Sequence, residues 1–138
     1  MKAEFAVADF GRLVGLEQLS LHPVGHVRMG LPEGEWLTLE EVSDELLVSW
    51  VVPCAHLQET ALLQALQMCE ARTSGFERAF QVGVRGEGSD TCVILVTRLP
   101  SEGTTGAQIM RAVEDGVQWV ARWRSVASGS DAAVSNWR

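Results

Sequence analysis

The stretch Glu45-Leu46-Leu47-Val48-Ser49-Trp50-Val51-Val52, closed by Pro53, constrains this chain more than any other. Both alternating sets of side chains along it are apolar, so as a strand it has no face suited to water. It predicts a central strand covered on both sides. The apolar run from Leu46 to Ala55 is about half of the ~20 residues a spanning helix requires, so no transmembrane segment is expected.

The flanking patterns supply a sheet for this strand to join. Leu19 and Leu21 alternate with Ser20 and His22, and Val27 and Met29 with His26 and Arg28 up to Gly30, which reads as a first strand with an extended lead-in. Leu31-Pro32-Glu33-Gly34 carries turn chemistry, and Trp36, Thr38 and Glu40 interleave with Leu37 and Leu39 as a second strand, hairpin-paired to the first. Downstream, Phe80, Val82 and Val84 alternate with Gln81, Gly83 and Arg85. Gly86 to Asp90 forms a loop, and Thr91 to Leu99 completes a second hairpin stopped by Pro100.

Three segments have helical period instead. Phe5, Ala6, Asp9, Phe10, Leu13 and Val14 recur at three and four, and Gly15 ends that helix. Gln58 to Arg72 places Leu62, Ala65, Leu66 and Cys69 on one stripe that Leu63 and Met68 widen, too broad a face for a single partner, before a Ser74-Gly75 break. From about Thr105, Ile109, Val113, Val117, Val120 and Trp123 mark a last helix despite Gly116 inside it. The expected fold is α+β, an antiparallel sheet with helices in the order α-β-β-β-α-β-β-α. At 138 residues it is one domain, residues 1–126, followed by a flexible tail at 127–138.

Charge narrows the function. Eighteen acids against 11 bases give a net charge of -7, which repels phosphate backbones and anionic membrane surfaces. The stretch from Glu33 to Glu45 holds six acids and no base, enough to attract a basic partner segment, though a solvated hairpin face explains it as well. Cys54, Cys69 and Cys92 are an odd count without CxxC spacing, as expected of free thiols in a reducing cytoplasm. Glu4 and Asp9 interrupt any signal-peptide core.

Catalytic and metal motifs fail on geometry. Gly83-x-x-Gly86-x-Gly88 lacks the lysine of a phosphate loop and precedes a strand. His22 and His26 are separated by a proline, and Cys54-x-His56 has no second ligand pair, so no metal and no cofactor are expected. Ser49 lacks the glycines of a nucleophile elbow. Glu40-Glu41 and Glu114-Asp115 are sequence neighbours that point apart. No catalytic residue is assigned.

The element order meets several local patterns: Leu16-x-x-Leu19-Ser20-Leu21 followed by Pro23-Val24-Gly25; Leu62-Leu63-x-x-Leu66; Phe80-Gln81-Val82-Gly83-Val84; Val93-Ile94-Leu95-Val96-Thr97-Arg98-Leu99-Pro100; and Trp123-Arg124. Together they resemble the class I type III secretion chaperones, the Tir chaperone family, over about residues 5 to 126. The chain departs from the family pattern at His22, often an acidic position, and lacks the asparagine common after the second helix.

The resemblance implies a bacterial cytoplasmic homodimer serving virulence, without enzymatic activity or membrane insertion. Such a protein binds the amino-terminal segment of a secreted effector and keeps it export-competent without hydrolysing ATP. By the same resemblance Leu62, Leu66, Phe80 and Val82 are expected at the dimer interface, and Leu13, Leu16, Val27, Met29 and Leu37 on the effector surface. Two alternatives stand beside it. One is a regulatory or export-gate member of the fold, binding a transcriptional regulator or gatekeeper protein, as a heterodimer in some cases. The other is a small enzyme using Cys54 or His56, for which the sequence holds no positive sign.

Overall fold

The structure, a computed structural model, describes residues 2–70, 76 and 78–136, with 129–136 described as backbone helix only. Its elements are α1 (Glu4–Leu13), β1 (His26–Gly30), β2 (Trp36–Val42), β3 (Glu45–Pro53), α2 (Glu59–Met68), β4 (Gln81–Arg85), a 3-10 turn at Gly88–Asp90, β5 (Cys92–Pro100) and α3 (Gly106–Asn136). The order is the expected one. Arg72 and the Ser74-Gly75 break lie outside the described residues.

All five strands form one antiparallel sheet in the order β1-β2-β3-β5-β4, so the doubly apolar segment sits in its centre. Register places Leu37 opposite Trp50, and Trp50 opposite Leu95, on one face, while Trp36, Val51 and Ile94 line up on the other. Leu37, Leu39, Leu46, Val48, Trp50, Val52 and Leu95 are buried on the first face, against α1, α2 and α3. Among the described residues, coverage on both sides, as expected from sequence, is not found. On the open face Leu47, Val51, Ile94 and Val96 are half-buried, because apolar neighbours on adjacent strands shield one another without a second layer.

α3 crosses the sheet at its largest core residue. Gly116 allows this: a Cβ there would overlap the Trp50 ring, so the glycine that costs helix propensity is the point of closest approach. One turn on, Trp119 Nε1 donates to Met68 O at 3.3 Å, and Trp123 Nε1 donates to Ala61 O at 2.8 Å. Two indoles four residues apart thereby hold α2 against α3. The helix continues unbroken past residue 126, where the sequence suggested a change to a flexible tail, and stays helical to Asn136.

The acidic stretch at 33–45 is largely consumed inside the chain. Glu35 pairs with Arg124 at 3.5 Å, Asp44 with Lys2 at 2.9 Å and Glu45 with Arg98 at 3.3 Å. Glu41 Oε1 accepts the backbone N–H of Ala3 at 3.0 Å, giving α1 the amino-terminal cap that its own sequence lacks. Ala3 is fully buried, so Glu41→Ala strands a buried donor and is expected to lower unfolding free energy by about 1–3 kcal/mol. Asp44→Ala, which removes only a solvent-exposed pair, should cost under about 0.5 kcal/mol. Urea denaturation of the two variants checks the contrast.

Candidate functional site

Two of the regions that leave apolar side chains in solvent lie at opposite edges of the sheet. The first is built by the end of α1. Ala6, Val7 and Phe10 face inward, and after Leu13 the chain folds back, with Leu16 N–H donating to Gly11 O at 2.6 Å. Gly11 permits the reversal, since a Cβ there would lie 2.5 Å from Leu16 O and 2.8 Å from Leu19 Cβ. Leu13, Val14 and Leu16 are left 53%, 38% and 44% exposed. A hollow of about 480 Å³ runs from Leu16 and Leu19 to Arg28 and Met29 on β1, whose outer side has no strand neighbour among the described residues.

Of the expected effector-surface residues, Leu13 and Leu16 are exposed, and Val27 and Met29 are half-buried on the edge strand. Leu37 is 1% exposed and has no surface to offer. It shares a face with Met29, its register partner, but stands one strand further in, where the helices close over it. Phe5, placed by periodicity on the apolar stripe of α1, is 90% exposed.

The second region joins α2 to the other edge strand, β4. Leu66 is exposed, and Leu62 and Val82 are half-buried, while Phe80 belongs to the core. Its ring meets Trp50 at 6.1 Å and Phe76 at 5.9 Å, both edge-on, and Trp119 at 6.3 Å. β4 begins one residue later, at Gln81, so Phe80 turns inward ahead of the strand. Leu63 and Val84, not chosen from the sequence, are exposed here. The breadth of the α2 stripe was the signal for Leu63, since of that stripe only Ala65 and Met68 are buried within the helix.

Cys54 and His56 border a cavity of about 540 Å³ with Trp123 and Arg124. Burial pushes the Cys54 thiol above its ordinary pKa, outweighing the nearby Arg124 charge, and burial acts likewise on Cys69. A raised pKa withholds the thiolate, the opposite of an activated nucleophile. Iodoacetamide at pH 8 is therefore expected to alkylate Cys54 several-fold more slowly in the folded protein than in urea, read by peptide mass spectrometry. Among the described residues no three His, Cys, Asp or Glu side chains converge on a point where a metal could bind, and no helix is long and apolar enough to cross a membrane.

No family model matches the chain, and neither does any curated protein. Among solved structures it is similar to a chain in the structure of the HopA1-SchA chaperone-effector complex. The identity is 16% and the TM-score 0.62, with 87% of this chain and 91% of that chain covered. The fold shared with that chain is the α+β arrangement expected from the sequence, a five-stranded antiparallel sheet with three helices.

Proposed function

We propose that the chain is a class I type III secretion chaperone, a bacterial cytoplasmic homodimer that holds the amino-terminal segment of a secreted effector in an extended, export-competent form without hydrolysing ATP. The observation that carries this reading is the unpaired β1 edge lying beside the exposed Leu13 and Leu16, in a fold shared with a chain of a chaperone-effector complex. An edge strand offers main-chain pairing to an extended segment, and apolar hollows beside it take alternate side chains. Net charge of -7 keeps such a carrier soluble while its apolar side chains stay exposed.

Affinity purification from the native host tests the reading. A secreted effector is expected as the main partner, its capture lost when its amino-terminal segment is deleted. A transcriptional regulator or export-gate protein in its place would favour the regulatory alternative and sink the effector reading.

For assembly, the exposed Leu63 and Leu66 of α2 with Val82 and Val84 of β4 are the proposed dimer surface. Light scattering at micromolar concentration is expected to give twice the 15.1 kDa chain mass. Leu66→Glu should yield a folded monomer, because the side chain is already 49% exposed and the charge is costly only when a partner buries it. A wild-type monomer, or a dimer that survives Leu66→Glu, would contradict this interface.

A further inference from the structure

Beyond the end of β1, the turn and α3 enclose a second hollow. Leu31 and Pro32 form one wall, Val117 and Ala121 the other, and the volume is about 440 Å³, within the usual range of roughly 300–1,000 Å³ for binding pockets. The turn is pinned by Leu31 N–H donating to Glu35 O at 2.8 Å and Gly34 N–H donating to Leu31 O at 3.1 Å. Val117 is 46% exposed although its chain neighbour Gly116 is at the helix-sheet crossing, and Ala121 lies one turn beyond it on the same side.

The rim carries two acids and one base, Glu33, Glu35 and Arg124. Glu35 is 7% exposed and pairs with Arg124, which cancels one acid against one base. Glu33 has no ion-pair or hydrogen-bond partner among the described residues and leaves the rim negative.

We propose that this hollow receives an apolar side chain of the bound client segment, with a lysine or arginine two residues away in sequence, on the same face of the extended segment, facing Glu33. The inference rests on the reading that the chain binds an extended segment along β1. Continuity argues for that occupant, since Leu31 and Pro32 directly follow the last residue of the unpaired edge strand, so a segment paired with β1 runs into the hollow. A second copy docked on α2 and β4 would occupy the other edge of the sheet and leave it open. The chain's own α3 continues past Ala121 as helix to Asn136.

Selection of a random peptide display library on the purified full chain tests the assignment. Wild type is expected to enrich peptides with a large apolar residue two positions from a lysine or arginine. Glu33→Arg, a change at an exposed turn residue, should switch the enriched residue at that spacing to aspartate or glutamate. Ala121→Trp should remove the apolar preference by filling the hollow, with circular dichroism showing both variants folded. By fluorescence anisotropy, a selected peptide should bind Glu33→Arg at least about tenfold more weakly and recover when its basic residue is replaced by glutamate. Peptides enriched without a basic residue at that spacing, or a basic preference that survives Glu33→Arg, overturn the assignment while leaving segment binding intact. If wild type enriches no peptide, segment binding and the assignment fall together. Dimer dissociation by Val117→Asp in light scattering would make the hollow a contact between copies and overturn it as well.

Discussion

Gly116→Ala is expected to destabilise the protein, although the same change in an ordinary helix interior gains about 1 kcal/mol. The added Cβ overlaps the six-membered ring of Trp50, which is fully buried and in edge contact with Phe80. A packed indole has no flexible end to swing aside, so either α3 lifts from β3 or the ring leaves its rotamer. Overpacking of this kind typically costs about 1–3 kcal/mol, more than the propensity gain returns. Valine adds two methyl groups to the same collision and should cost more than about 3 kcal/mol. Urea denaturation with an unchanged slope reads both variants. An alanine variant as stable as wild type would mean that helix and sheet can part here without penalty, contrary to the packing described.

Truncating Leu37 or Phe80 to alanine should be equally telling. Both are core side chains, at 1% and 5% exposure, so losses of about 2–5 kcal/mol are expected from transferred area and the cavity left behind. Leu13→Ala and Leu16→Ala, removing side chains that already face water, should stay within about 0.5 kcal/mol. The same four variants are expected to part again in client capture, where Leu13 and Leu16 matter and a folded Leu37→Ala does not. Comparable stability losses at all four positions would remove the distinction between core and surface on which the proposed site depends.

The strands and helices were legible because period-2 and period-3.6 patterns report local geometry, which β3 and α3 obey along most of their length. The site was less so. Alternation places Leu37 and Met29 on one face of a hairpin but does not say how many strands lie between each residue and the edge, and that count decides which of them is covered. Phe80 alternates with Val82 and Val84 in sequence, yet the strand starts after it and the aromatic cluster around Trp50 draws it inward. Gly116 reads as a flaw in a helix until the residue it crosses is known. The acidic stretch reads as one feature, whereas tertiary pairing leaves Glu33 and Glu40 as its only members without a partner among the described residues.

The placement of β1 and β4 at opposite margins of one sheet has an evolutionary consequence. Four strand spacings of about 4.8 Å separate them by roughly 19 Å, beyond the range of about 7–10 Å within which substitutions usually couple. Changes along the two margins therefore combine additively in free energy. A lineage can redraw what one margin recognises, substitution by substitution, without renegotiating what the other holds.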